Sequence, residues 1–370
     1  MNLNHIVKPT LLLDKKKCCK NIELMALKAK SNKVIFRPHF KTHQSRIIGK
    51  WFKKAGVNKI TVSSLSMASY FANDGWNDIT VAFPVNIREI EKINELAEEI
   101  QLNIAIENIE SVDYLNKKLK FPVGLFIKID TGYHRTGLLS DNYQVIDTIL
   151  EKVCHEKLQF KGFLTHSGNT YQAKTREEII QIYNNTTEQL THLKNKFIPS
   201  YPDLILSAGD TPSCSIIENL KGIDEIRPGN FIFYDLIQYQ LGSCHFDQVA
   251  VCMACPVVAI HKERNEVVIY GGGVHFSKES LETAENKNFG QVVLLNDSGW
   301  KKPETDCYLS KLSQEHGTIK ATDDFINSIK IGDLVGIIPV HSCMTANLMR
   351  GYLSTENELI DHFSGNSELI

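Results

Sequence analysis

Over the first two thirds of the chain, short runs of apolar and β-branched residues alternate with longer segments whose apolar positions recur at helical spacing. Thr10–Leu13 opens this series as a strand. Asp14 then caps a helix in which Ile22, Met25, Ala26 and Ala29 follow helical spacing. Further strands are expected at 34–36, 59–62, 78–82, 102–106, 124–129, 158–164, 204–206 and 224–226, with helical stretches such as 86–100, 111–120 and 176–196 between them. The strands are continuously apolar rather than alternating, as in a sheet covered on both faces. Repeated βα units of this kind predict an α/β fold, a parallel (β/α)8 barrel.

The pattern changes near residue 248. From there strands follow one another without long helices, at 249–252, 257–261, 266–270, 292–296 and 333–338. Turn signals, Gly271-Gly272-Gly273 and Asp297-Ser298-Gly299, separate them. This predicts a barrel over residues 10–247 and a C-terminal antiparallel β-domain over 248–370, with residues 1–9 able to pack on the second. No internal repeat interrupts the reading.

Composition narrows the function. The chain has 370 residues, 42% of them hydrophobic and 23% charged, which is ordinary globular composition. A formal net charge of −2 gives no electrostatic footprint for nucleic acid or an anionic membrane. No apolar run approaches the roughly 18 residues of a membrane span, and the N-terminus lacks the apolar core of a signal peptide. Nine cysteines, including the adjacent pair Cys18-Cys19, read as reduced thiols, so a cytoplasmic location is expected.

The chemistry begins at Arg37-Pro38-His39-Phe40-Lys41-Thr42-His43, just past the strand at 34–36. Strand ends open onto the active face of a parallel barrel, and a lysine held there among histidines and an arginine is disfavoured as an ammonium. Such an amine is a nucleophile, commonly used as a Schiff base with an aldehyde cofactor such as pyridoxal phosphate. A solvated surface lysine is the plainer alternative. Four further loops fall at strand ends. One is Asp130-Thr131-Gly132-Tyr133-His134-Arg135-Thr136-Gly137, where Arg135 supplies a fixed cation. His166-Ser167-Gly168-Asn169-Thr170-Tyr171 is the next. Ser207-Ala208-Gly209-Asp210-Thr211-Pro212-Ser213 is a small-residue turn before a helix, the form of a phosphate cradle, and Arg227-Pro228-Gly229-Asn230 can complete it. A phosphorylated aldehyde would span the barrel mouth from Lys41 to these late loops.

A second centre is expected at Pro339-Val340-His341-Ser342-Cys343, at the end of an apolar strand. Residues two apart on an extended segment point the same way, so His341 and Cys343 can share a metal ion. Imidazole and thiolate suit zinc, and two protein ligands leave room for water or substrate. A half-buried histidine and a core cysteine are the bland alternative. Three other features read more simply as structure: Cys252-x-x-Cys255, whose cysteines face opposite sides of a strand, the glycine triplet at 271–273, and the basic run Lys15-Lys16-Lys17 on a solvated helix face. Ser313-Gln314-Glu315-His316-Gly317 joins an acid to an imidazole beside a flexible glycine, with its role left open.

These motifs, together with Tyr234-Asp235 and 341–347, stand in the order of one family. From about Pro9 to Leu348 the chain resembles the D-serine dehydratase and D-threonine aldolase family of fold-type III pyridoxal phosphate enzymes. The resemblance implies an alanine-racemase-like barrel, a C-terminal β-domain and a homodimer. It implies that Lys41 carries the cofactor, that Ser207, Gly209, Thr211, Arg227, Gly229 and Asn230 hold its phosphate, and that His39, Arg135, His166, Tyr171 and Tyr234 lie about it. His341 and Cys343 would bind the metal beside a D-amino acid substrate. In this family the dehydratases pair the histidine with cysteine and the aldolases with aspartate. Cys343 therefore favours zinc over manganese or magnesium, and dehydration of D-serine or D-threonine over aldol cleavage to glycine and an aldehyde. An amino-acid racemase is the remaining alternative.

Overall fold

The computed structural model describes residues 1, 3–153, 156–282 and 286–364. These fall into two compact units. One takes Met1–Ile22, Thr42–Ile48 and Asn230–His362, and the other Glu23–Lys41, Gly49–Gly229 and the described residues from Phe363 on.

The second of these is the parallel barrel. Its strands run in the ring order Ile35–Phe36, Ile60–Val62, Asp78–Pro84, Gln101–Ile106, Val123–Asp130, Leu158–Leu164, Ile205–Ala208 and Glu225–Ile226. Glu225 pairs with Ile35 on one side of the seam. On the other, Thr61 donates its amide to the Pro38 carbonyl (2.9 Å) and Phe40 donates to the Thr61 carbonyl (2.8 Å), which closes the ring. Every residue of Val123–Asp130 except the last is buried, as continuous apolar strands require. The intervening helices start where side chains satisfy their first amides. Ser64, Asn108 and Thr175 accept from Met67, Ser111 and Glu178, each bond stabilising its helix by about 1 kcal/mol.

Two features fix the start of the first barrel strand and the segment that leaves it. Arg37 bridges Glu225 and Asp78 (both 2.6 Å) inside the barrel, and Lys59 reaches the other Asp78 oxygen (2.5 Å). Burial opposes the Arg37 charge, but the two carboxylates outweigh it and hold the guanidinium protonated. Phe40 is fully buried, with its ring 4.9 to 5.0 Å from those of Phe52, Phe71 and Trp76. The backbone that precedes Lys41 is therefore anchored on both sides.

The first unit is built on an antiparallel sheet. Its strands lie in the order Glu266–Tyr270, His316–Lys320, Gly299–Leu312, Gly290–Asn296, Leu334–Pro339 and Val251–His261, and the last also pairs with the first. Thr10–Leu13, which heads the strand series in the sequence, joins this sheet. It runs antiparallel to Val251–His261 and parallel to Tyr352–Ser354. Its two-sided apolar run suits burial in either sheet, which is why periodicity does not distinguish them.

Other differences have local causes. The strands expected at 249–252 and 257–261 are one strand, Val251–His261, which takes Pro256 opposite Leu334 and turns past it at an irregularity between Val257 and Ala259. Gly299–Leu312 escapes notice because Lys301, Lys302, Glu304 and Asp306 break it up and leave only the short apolar run 307–309. Gly317 is not a flexible joint. It lies in the strand His316–Lys320, where a Cβ would meet the Gly271 carbonyl oxygen at 2.5 Å.

Candidate active site

The structure places chemistry-bearing residues in two clusters, one in each unit. In the barrel, the Lys41 side chain is exposed and its backbone amide donates to Nδ1 of His39 (3.3 Å). The His39 amide in turn donates to the Pro228 carbonyl (2.9 Å), tying the lysine segment to the 227–230 turn. His166 follows Leu158–Leu164 with Nδ1 3.1 Å from the Gly209 carbonyl. A carbonyl only accepts, so Nδ1 carries the proton and Nε2 is left as an acceptor. Burial, reinforced by the positive field of Lys41, Arg135 and Arg227, lowers His166 to about 3, so the ring is neutral.

Lys128 extends this field. It lies 4% exposed on Val123–Asp130, with its Nζ donating to the Ala82 carbonyl at 3.4 Å. Burial, followed by repulsion from Arg135 and Arg227, lowers it to about 8, with Glu107 opposing. Such an accumulation of cations calls for an anionic ligand.

The late loops meet beside them. Gly209 has φ +142°, and a Cβ there would meet the Arg227 amide nitrogen at 2.6 Å, so only glycine allows the two turns to touch. Asp210 caps Thr211–Ile216 by accepting from the Ser213 amide (2.8 Å) and also takes the Thr170 hydroxyl (2.9 Å). Burial outweighs these bonds and raises its carboxyl to about 6. The Thr211 amide lies 3.4 Å from the Tyr171 hydroxyl. Gly209, Thr211, Tyr171 and His166 are thus neighbours. Ser207 is placed differently. Its hydroxyl donates to Glu225 (2.6 Å) and accepts from Nε of Arg227 (2.7 Å), so its hydrogen bonding is taken up inside the barrel wall. Arg135 stacks over Tyr133 at 4.9 Å, and Gly168 leaves room for that ring, since a Cβ would meet it at 2.3 Å.

In the antiparallel unit, His341 and Cys343 do come together, though not on an extended segment. Leu334–Pro339 ends, His341 takes the N-cap position, and Cys343 is the second residue of the helix Ser342–Met349. Burial works against a charged His341 ring, but hydrogen bonds to Cys343 and Glu279 outweigh it and hold its pKa up to about 11. Burial likewise favours the neutral thiol, and the His341 hydrogen bond overrides it, lowering Cys343. The pair is a charged imidazolium beside a thiol that gives up its proton more readily than usual. Nδ1 of His341 lies 3.9 Å from Glu279. Nδ2 of Asn230, with two hydrogens to give, lies within reach of three acceptors, Asp235 (2.6 Å), Ser342 (3.0 Å) and the Cys343 sulfur (3.4 Å). Its Oδ1 is buried with no donor from the described residues. A soft donor pair with an unsatisfied polar atom beside it fits a metal that brings further ligands of its own. Among the described residues no group of three or more His, Cys, Asp or Glu gathers for a closed metal site.

Comparisons with known proteins match the chain in two stretches. Residues 13–236 match the family model for the alanine racemase N-terminal domain, and residues 250–355 match that of the serine dehydratase domain. D-serine dehydratase of Dictyostelium discoideum is 31% identical over 99% of this chain and 98% of its own. The chain belongs to the D-serine dehydratase family. This family lies within the alanine-racemase-like, fold-type III pyridoxal phosphate enzymes. Among solved structures, D-threo-3-hydroxyaspartate dehydratase from Delftia sp. HT23 superposes with a TM-score of 0.89 at 22% identity over 98% of each chain. A cysteine-to-alanine mutant of D-threo-3-hydroxyaspartate dehydratase, described as metal-free, gives 0.90 at 23% over 98% of each chain. D-threonine aldolase from Filomicrobium marinum gives 0.78 at 18% over 96% of each chain. These likenesses share the fold.

Against the family's motifs, Lys128 and Glu279 stand out as side chains outside every motif, and Thr42 and Asp235 as motif residues that carried no role. Lys128 interrupts the apolar run of Val123–Asp130, and a lysine inside such a run is itself a signal. Thr42, Asp235 and Glu279 carry no comparable mark, since each is an ordinary polar residue until the fold brings it to the His341 and Cys343 pair. Elsewhere, Glu315 approaches His275 (3.7 Å) rather than its neighbour His316, whose side chain is exposed. Cys252 and Cys255 are buried thiols pushed up by desolvation. Lys17 leaves the solvated face to lie over the Trp300 ring at 4.7 Å. Tyr234 is buried at φ +49° and Gly229 is half-buried. No helix of the described residues is long and apolar enough to cross a membrane.

Proposed function

We propose that this chain is a pyridoxal phosphate-dependent, metal-assisted lyase that dehydrates D-β-hydroxy amino acids, D-serine or D-threonine, to a 2-keto acid and ammonia. The observation that carries this reading is Cys343 hydrogen-bonded to His341, an adjacent soft-donor pair, in a family whose named members are dehydratases and aldolases. When bound, the cofactor supplies an electron sink at Cα, and a zinc ion supplies a Lewis acid for departure of the β-hydroxyl.

The chain's own residues divide the remaining work. Lys41, exposed on an anchored segment, would hold the cofactor, and its amine is the base placed to take the proton from Cα. Gly209, Thr211, Arg227 and Gly229 hold the phosphate, with Ser207 bracing Arg227, while the Asn230 side chain is turned to Cys343. His39, Tyr171 and Tyr234 flank the ring. His166 is kept neutral, so it accepts a hydrogen bond through Nε2 without adding charge. Arg135 and Lys128 supply the positive field for anionic groups. His341 and Cys343 hold the metal, with manganese and magnesium as the harder alternatives. The active form is a homodimer, whose mass sedimentation would report.

Product analysis tests this. Purified enzyme given D-serine or D-threonine should release keto acid and ammonia. A chelator should abolish turnover and zinc should restore it better than manganese or magnesium. Glycine and acetaldehyde from D-threonine would replace the dehydratase with an aldolase, and chelator-insensitive loss of optical activity without ammonia would replace both with a racemase.

A further inference from the structure

Two side chains from distant parts of the sequence reach the sulfur of Cys343. The Thr42 hydroxyl lies 3.3 Å away and the Asn230 amide 3.4 Å. Asn230 is itself held. Its Nδ2 also donates to Oδ2 of Asp235 (2.6 Å), and that same oxygen accepts the Ser342 amide (2.9 Å) and hydroxyl (3.1 Å). The second Asp235 oxygen accepts from the Gln238 amide (3.0 Å), which caps Leu236–Gln240. Thr42, Asn230, Asp235 and Ser342 are all buried, none more than 3% exposed.

A buried carboxylate is costly unless its lone pairs are filled, and Asp235 fills them with donors from Asn230, Ser342 and Gln238. The result is a rigid plate beside one sulfur. A coordinating thiolate keeps spare lone pairs, and donors to those lone pairs set its direction and the charge it gives the metal. Donors placed by a network of this kind serve a thiolate, since a core thiol packs as a small hydrophobe without them.

We propose that Asp235, acting through Asn230, and Thr42 are positioning residues that aim the Cys343 sulfur at its metal. This rests on the reading of His341 and Cys343 as metal ligands, and the two are separable by experiment. Full-length protein is stripped by chelation and loaded with cobalt(II), which reports thiolate ligation by a sulfur-to-cobalt charge-transfer band. Affinity is measured by competition with a chromophoric chelator. The expected result is a band in the wild type that is absent in Cys343→Ser. Thr42→Val and Asn230→Leu should shift the band and weaken cobalt binding by about ten- to hundredfold each, while Thr42→Ser restores both. Asp235→Asn should match Asn230→Leu, and if it fails to fold, the near-isosteric Thr42→Val still decides. A wild-type band with Thr42→Val and Asn230→Leu unchanged in position and affinity would overturn this inference alone. A wild type without the band would overturn the metal reading and the inference together.

Discussion

Around Lys41 the neighbouring charges repel one another, whereas around Cys343 they attract. In the barrel, burial and the cations Lys41, Arg135 and Arg227 keep His166 neutral at about 3, and burial with Arg135 and Arg227 lowers Lys128 to about 8. In the antiparallel unit, hydrogen bonds to Cys343 and Glu279 hold His341 up to about 11 against burial, and the thiol is correspondingly lowered. One region thus gathers an excess of positive charge and the other holds a matched pair. Uncompensated charge marks a place for a ligand of opposite sign, here an anionic cofactor. A thiol and an imidazole that share a proton mark a place for a cation that replaces it.

The largest effect should come from separating the two regions. Lys41→Ala should remove the visible absorbance of lysine-bound pyridoxal and lower turnover by about a hundred- to ten-thousandfold or more, measured by keto acid release. Cys343→Ala should abolish turnover and metal binding but keep that absorbance. Loss of absorbance in Cys343→Ala would mean that the regions do not act independently in binding their ligands. Smaller in scale is the anchor of the lysine segment. Phe40→Ala removes a ring packed on Phe52, Phe71 and Trp76 and should destabilise the protein by about 3 to 5 kcal/mol in urea unfolding.

The smallest effect concerns pH. His43 is fully buried and lowered to about 3, by burial first and by neighbouring His362 second, with Asp361 opposing. Its folded pKa lies below the unfolded value of 6.5, so the unfolded chain takes up the proton first. Stability from His43 is complete above about pH 6.5 and falls by about 1.4 kcal/mol per unit as pH drops toward 3. His166 acts in the same direction. Urea unfolding of wild type and His43→Gln between pH 7 and 5 checks the sign, and an identical slope in both would contradict it.

Much of the barrel was legible because its strands are apolar and separated by capped helices, and Val123–Asp130 lies within one residue of its expected bounds. The antiparallel sheet was less so, since Gly299–Leu312 is charged through its first half. Residue types with strong chemistry, such as Lys41, His341 and Cys343, were visible at element ends. Their partners were not, because Thr42, Asn230 and Asp235 converge on Cys343 from positions far apart in the chain. The side chain of Asn230 illustrates the limit. Its motif pointed to a phosphate, whereas its amide is bonded to Asp235, Ser342 and the Cys343 sulfur.

The central claim is that the charged barrel cluster serves a cofactor held on Lys41, and Lys128 is the natural rival because it too is a lysine in that field. Borohydride reduction of the pyridoxal-loaded protein, followed by peptide mass mapping, distinguishes them directly. The account predicts a single pyridoxyl adduct on the peptide carrying Lys41. An adduct on the peptide carrying Lys128, or none at Lys41, would contradict it.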